Sequence, residues 1–295
     1  MIMAMTVRRK PTSNLRRWSI SAISRICTAK QPAPAEARTM PRILVVESNP
    51  KVESDRLEAL SGQALGQLYA ATLEGLRDDV ETVVISPYDG DEAPDLYGFD
   101  GIAFTGSSVE WNTDDERAAP LAAVMRAGFA AGLPTIGSCN GMQLAASVLG
   151  GSSSASPNGR EDGLAGDIRL TEAGRAHPMM AGRDDGYAVP CTHRDEVVRL
   201  PEGAVCLAGN SHSSVQAFAI DREGVDFWGM QYHPEFSPSY VGRYLRLSGR
   251  IAPDVADDLE AAETDESAAA RLSTTLRDQV APRRTVELAN WLARL

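Results

Sequence analysis

The chain is short of cysteine and of lysine. Its four cysteines, at positions 27, 139, 191 and 206, make no short paired spacing, so neither a zinc site nor a disulfide framework follows from them. Cys191 and His193 alone are two ligands without others nearby, and no metal is expected. A chain without disulfides belongs in a reducing compartment, and a cytoplasmic location is expected. Lysine occurs only at 10, 30 and 51, so nearly all positive charge is arginine, which we read as a trait of genome composition. No apolar run approaches the roughly 20 residues of a membrane-spanning helix, and no membrane association is expected. No glycine-rich phosphate loop ends in Lys-Ser or Lys-Thr, and no second nucleotide-binding pattern is present. No cofactor is therefore expected, and nothing recognisable in this chain activates an acceptor with ATP.

The net charge of −11 is divided unevenly. Residues 1–39 hold eight Lys or Arg against one acid, Glu36, which leaves 21 basic and 39 acidic residues elsewhere. An acidic body repels polyphosphate backbones, so nucleic acid is not expected as a partner. The basic start allows two readings. Ile20 and Ile23 lie three apart among arginines, as in an amphipathic transit peptide. Alternatively residues 1–39 are a disordered extension or a start assigned too early, and Met40, just before the first strand, favours this.

With 43% hydrophobic residues, the rest is ample for a core. Arg42 to Val46, Val80 to Ile85, Gly101 to Phe104 and Pro134 to Ile136 read as buried strands. Helical stretches separate them, up to about Leu76 and from Glu116 to Ala131. This alternation implies an α/β fold with a mostly parallel central sheet flanked by helices. From Gly150 the texture changes. Ser152 to Gly159 reads as a loop, and Asp167 to Leu170, Tyr187 to Pro190, Ala204 to Ala208, Val215 to Ile220 and Asp226 to Gln231 as strands of a small antiparallel portion. Helix returns at Pro238, and Leu288, Trp291, Leu292 and Leu295 form one apolar stripe near the chain end. We divide the chain into the extension 1–39, a main domain 40–250 and a helical extension 251–295 packed on it.

One segment carries chemistry. Pro134-Thr135-Ile136-Gly137-Ser138-Cys139-Asn140-Gly141-Met142-Gln143 is an apolar run that breaks into Gly-x-Cys-x-Gly and continues as a helix. A sharp strand-to-helix turn needs small residues on both sides of the turning position, and Gly137 and Gly141 meet that need. Cys139 is then exposed at the tip, at the positive end of a helix macrodipole, where negative charge is favoured. A thiol nucleophile needs a base, and the base needs an acceptor on its other ring nitrogen. His233-Pro234-Glu235 supplies both. Proline biases the residue before it towards extended backbone, which would put His233 and Glu235 on one face.

With these segments on the page, the chain resembles the class I glutamine amidotransferases, in particular the amidotransferase domain of GMP synthetase. The resemblance runs from about Met40 to about Tyr244 and implies the flavodoxin-like fold of that family. It also implies a Cys139–His233–Glu235 triad that cleaves the side-chain amide of glutamine, or of another γ-glutamyl compound, through a thioester on Cys139. Gln143 matches a residue that helps to hold the substrate. Ile102 to Val109 resembles the turn that lends a backbone N–H to the oxyanion hole, together with Asn140. Relatives often have two glycines there, whereas this chain has Gly106 and Ser107. Thr192-His193-Arg194-Asp195 is similar to a His-x-Asp segment near the substrate pocket, which brings in His193 and Asp195. Ammonia in this family often passes to a synthetase, so either a separate synthetase joins in trans or the chain works alone as a hydrolase or transferase. Two readings of other classes stand beside these. One is a non-catalytic binding or regulatory protein on the same scaffold, against which the complete triad argues. The other is the related chaperone-like and deglycase-like branch, where a histidine commonly follows the cysteine and this chain has Asn140.

Overall fold

The computed structural model describes residues 40–295. The transit-peptide and mis-assigned-start readings concern residues 1–39 and lie outside the described residues. Along the chain the strands are β1 (Arg42–Val46), β2 (Glu81–Ile85), β3 (Gly101–Phe104), β4 (Thr135–Ser138), β5 (Ser152–Ala155) and β6 (Glu161–Leu170). They continue as β7 (Tyr187–His193), β8 (Asp195–Arg199), β9 (Val205–Gly209), β10 (Ala217–Arg222) and β11 (Val225–Met230). The helices used below are α1 (Lys51–Ser61), α2 (Leu65–Leu76), α3 (Ala119–Ala130), α4 (Asn140–Val148), α5 (Glu172–Ala176) and α6 (Pro238–Leu247). After them come α7 (Pro253–Ala261), α8 (Glu266–Arg271), α9 (Leu276–Gln279), α10 (Ala281–Arg284) and α11 (Val286–Leu292).

Nine strands form one sheet in the order β2-β1-β3-β4-β11-β10-β9-β6-β7, and β5 pairs with β8 in a separate ribbon. From β2 to β11 every pairing is parallel, and from β11 to β7 every pairing is antiparallel. The parallel half is covered on both faces, as continuous apolar strands require. Alternate residues of β1 show how. Ile43 and Val45 pack with Tyr69, Leu73, Leu288 and Trp291, while Leu44 and Val46 pack with Leu121, Met125, Met142 and Leu144. Thus α2 and α11 cover one face, and α3 and α4 the other.

The apolar stripe near the chain end finds its mate here. Trp291 is fully buried, and a Cβ built on Gly101 would come within 2.8 Å of its ring. The indole therefore fills the space that the missing side chain of Gly101 leaves at the start of β3. The described residues cluster as one compact unit, so the helices beyond residue 250 are integral to it.

Three local expectations need correction. The serine-rich segment read as a loop contains β5, which pairs antiparallel with β8, itself not anticipated as a strand. Polar serines hid it, although Ser153 is buried and its hydroxyl bonds to that of Thr113 at 2.8 Å. The helical stretch after β1 is two helices, because Gly62 takes φ 91° and caps α1. β6 starts at Glu161, well before Asp167, where φ is 48° and the register with β7 shifts between Ala165 and Ile168. Such a bulge reads as a strand end in sequence.

Removing a large buried aromatic deletes its transfer free energy and leaves a cavity. Trp291→Ala should lower stability by about 3–5 kcal/mol in urea unfolding, and a loss under about 1 kcal/mol would show that α11 is not part of the core.

Candidate functional site

β3, β4 and β11 are parallel neighbours, so their carboxyl ends open on one edge of the sheet. Gly106, Cys139 and His233 lie just beyond those three ends, which brings together residues up to 127 positions apart in sequence. At the end of β4 the chain turns through Cys139, whose φ of 49° and ψ of −104° are strained for any residue with a side chain. Two backbone hydrogen bonds hold it there: Cys139 N–H donates to the Met230 carbonyl at 2.7 Å, and the Cys139 carbonyl accepts from Gln143 N–H at 3.0 Å. The flanking glycines are sterically required. A Cβ on Gly137 would lie 2.6 Å from the Gly141 carbonyl carbon, and one on Gly141 would lie 2.7 Å from the Phe104 carbonyl oxygen.

His233 stands opposite the thiol, within hydrogen-bonding reach of Cys139. Its Nδ1 faces Glu235 Oε1 at 2.7 Å, so the other ring nitrogen is the one directed at sulfur. The geometry differs from the extended segment expected. Residues 233–236 form a turn closed by Phe236 N–H donating to the His233 carbonyl at 3.1 Å, and this turn swings the carboxylate back to the ring. Phe236 then stacks on the imidazole, with centroids 4.1 Å apart and planes 6° from parallel. On another side a Cβ on Gly106 would lie 2.3 Å from His233 Cε1, so the ring occupies the space that this glycine leaves.

Burial alone would pull the imidazole pKa down. The charge of Glu235 and hydrogen bonds to Cys139 and Glu235 outweigh it and push the pKa up to about 10. Near neutral pH the ring is therefore an imidazolium beside the Cys139 sulfur and can donate a proton. The second oxygen of Glu235 accepts from Ser138 Oγ at 3.3 Å, and Ser138 Oγ shares a hydrogen bond of 3.2 Å with the buried Tyr69 hydroxyl. Ser138 and Tyr69 were not foreseen. The hint was a polar residue, Ser138, on a strand buried throughout.

The turn after β3 is fixed by a second unforeseen pair. Asn49 Oδ1 accepts from Ser107 Oγ at 3.0 Å and from Ser108 N–H at 2.8 Å. Asn49 Nδ2 donates to Glu47 Oε1 at 3.0 Å, and Glu47 Oε2 accepts from Gly66 N–H at 2.6 Å. Burial raises the Glu47 pKa, opposed by these backbone and side-chain donors.

The expected substrate shell is only partly turned towards a ligand. Gln143, His193 and Asp195 all line a cavity of about 270 Å³ together with Cys139, Asn140, Ser107 and His233. Yet Gln143 Nε2 already donates to the Asp195 carbonyl at 2.7 Å and to Gln231 Oε1 at 3.1 Å. His193 bridges the Asp195 carbonyl at 3.1 Å and Glu161 Oε2 at 2.8 Å, and the Asp195 carboxylate pairs with Arg194 at 2.7 Å. These three shape the wall, while Arg160, Arg194, Arg250 and Glu110, none of them foreseen, bring charge to it.

Glu161, Cys191 and His193 bring one donor atom each within 4.8 Å of one another. The cluster is already satisfied as a hydrogen-bonded unit. Glu161 accepts from Asn210 Nδ2 and Gln216 Nε2, both at 2.7 Å, as well as facing His193. Burial pushes the Cys191 thiol well up, reinforced by Glu161 and Asp162, so it stays protonated, unlike a ligand thiolate.

Comparison with known proteins adds a second line. The family model described as glutamine amidotransferase class-I matches residues 68–247. The chain is 33% identical over 217 residues to a γ-glutamyl-L-1-hydroxyisopropylamide hydrolase of a Pseudomonas species, covering 71% of this chain and 72% of that protein. It is 34% identical over 185 residues to a glutamine-hydrolysing GMP synthase subunit from Methanoculleus marisnigri, covering 61% of this chain and 89% of that protein. A glutamine amidotransferase structure from Thermotoga maritima shares the fold, with TM-score 0.60 and 18% identity over 86% of this chain and 97% of that one.

Because the folded-state pKa of His233 is raised, its protonation stabilises the native state fully below about pH 6.5, and that contribution fades as pH rises through about 10. NMR titration of the ring should show an inflection near pH 10, moved down by about one to three pH units in Glu235→Gln. An inflection between about pH 6 and 7 in the unmodified protein, where an unperturbed imidazole titrates, would contradict the ion pair.

Proposed function

The chain belongs to the class I glutamine amidotransferase family and is an amidohydrolase of that family, and from that premise we propose that it hydrolyses γ-glutamyl amides through a γ-glutamyl thioester on Cys139. The observation that carries this reading is the buried Cys139–His233–Glu235 arrangement, with a raised imidazole pKa and a carboxylate held at 2.7 Å. Cys139 attacks the amide carbonyl carbon as the thiolate opposite the His233 imidazolium, and the C–N bond breaks as His233 gives its proton to the departing amine and is left neutral. Water, deprotonated by His233, then cleaves the thioester and releases glutamate. The oxyanion is met by the N–H of Asn140, first residue of α4, and by an N–H of the Gly106–Ser107 turn. Asn49 holds that turn through Ser107 and Ser108.

The substrate's amino-acid head carries both charges, and the wall built from Arg160, Arg194, Arg250, Glu110 and Asp195 offers both signs to it. We assign the head to this wall, beside Gln143 and His193. The similarity to a Pseudomonas γ-glutamyl amide hydrolase supports a protein that works alone. The similarity to part of a GMP synthase favours a second reading, in which the ammonia goes to a synthetase in trans. Among the described residues no helix is long and apolar enough to cross a membrane. Free thiols at Cys139, Cys191 and Cys206 support a reducing, cytoplasmic setting.

Cys139→Ala should lower kcat on γ-glutamyl amides at least about 10⁴-fold. Mass spectrometry of the quenched unmodified protein should find a γ-glutamyl adduct on Cys139, and full activity in the variant would refute the mechanism. Activity of the purified chain separates the two settings: a hydrolase is active alone, whereas the activity of an ammonia-delivering partner rises sharply when its synthetase is added.

A further inference from the structure

The cavity has two walls of opposite character. Its charged wall gathers around residues 192–195: Arg194 binds Asp195 and the Glu110 carbonyl, and Arg160 reaches the Thr192 hydroxyl at 3.3 Å. Its other wall is apolar. Leu57 on α1, Leu65 at the start of α2, Phe236, and Tyr240 on α6 all line the cavity and belong to one hydrophobic cluster with Val241 and Leu245. Phe236 and Tyr240 lie ring to ring, with centroids 4.6 Å apart. Arg250 marks the seam, its guanidinium 4.7 Å above the Tyr244 ring.

The apolar wall stands on the side of the general acid. Phe236 stacks face to face on the His233 ring at 4.1 Å, and His233 lines the same cavity as the cluster, so the apolar residues border the space around the proton donor. In the proposed reaction the receiving atom is the departing amide nitrogen. Leu57, Leu65, Phe236 and Tyr240 are the apolar lining that a substituent on that nitrogen meets in this cavity. A departing ammonia has no apolar surface to place there, whereas an alkyl group removes its own surface and that of the wall from water. A charged substituent would lose hydration against these apolar side chains.

We propose that Leu57, Leu65, Phe236 and Tyr240 form a subsite for the leaving amine, and that the preferred substrates are γ-glutamyl amides whose nitrogen bears a small uncharged alkyl group. This rests on the γ-glutamyl thioester reading. The overall reaction consumes one water and yields glutamate and the free alkylamine, the amine nitrogen taking the proton from His233.

The test compares kcat/KM of the full chain on glutamine and on three γ-glutamyl amides: those of isopropylamine, of 1,4-diaminobutane and of glutamate. Burying one methylene in a fitted pocket commonly changes kcat/KM about 10-fold or more, so the isopropylamide should exceed glutamine by at least about tenfold. The cationic and anionic amides should fall below the isopropylamide by a similar factor. Leu57→Asp should raise the diaminobutane amide relative to the isopropylamide by about tenfold. If that variant does not fold, Leu57→Ala should lower the ratio of isopropylamide to glutamine instead. Hydrolysis of glutamine that equals or exceeds that of the isopropylamide, or equal rates on all three amides, overturns the subsite and leaves the nucleophile assignment intact. No hydrolysis of any compound, with no adduct on Cys139, overturns the underlying reading itself.

Discussion

The close approach of β4 and α4 at Gly137 and Gly141 is the constraint on which the rest of the site depends. With no side chain at either position, the helix can begin directly against the strand end and force Cys139 into a backbone region that costs about 1–3 kcal/mol. The surroundings hold that strain in place: a carbonyl of β11 accepts the Cys139 N–H, and Phe104 of β3 lies against Gly141. Cys139 is thus positioned by the two strands that also lead to His233 and to the Gly106–Ser107 turn. A loosened sheet would misplace all three groups together.

The segment carrying His233 is secured from behind by helices of the last part of the chain. Arg284 of α10 donates to the Pro234 carbonyl at 3.3 Å, and Tyr232 donates to Glu287 Oε1 at 2.7 Å. Glu287 is in turn held by Arg183 through two bonds of 2.8 and 2.7 Å, with both side chains fully buried. A buried pair of this kind stabilises little compared with an apolar replacement, but losing one partner would leave a bare charge in the core. Its position directly beneath residues 232–234 makes it a brace for the turn that brings Glu235 to His233.

What the sequence disclosed and what it hid divide along physical lines. Gly137, Cys139 and Gly141 were legible because steric need and chemistry coincide in one short segment. The parallel half of the sheet was legible because strands buried on both faces are continuously apolar. The turn at 233–236 was misjudged because proline restricts only its neighbour's backbone and says nothing about a later reversal. Asn49, Glu47, Ser138 and Tyr69 could not be found, since their roles come from contacts across the sheet between residues with no distinctive spacing. The mate of Trp291 was equally invisible, because a glycine in a strand does not announce what fills its place.

The neighbouring positions of β4 and β11 in the sheet have a consequence for how the protein comes into being. The strands are adjacent in space but 86 residues separate the end of one from the start of the other, and the whole antiparallel half lies between them. Pairing them closes a long loop, whose entropy must be spent before the contacts return it, so this step belongs late in folding. Until it happens Cys139 has no imidazolium beside it and no carbonyl of Met230 to fix its turn. An incompletely folded chain therefore holds Cys139, His233 and Glu235 apart, and the site arrives together with the finished sheet.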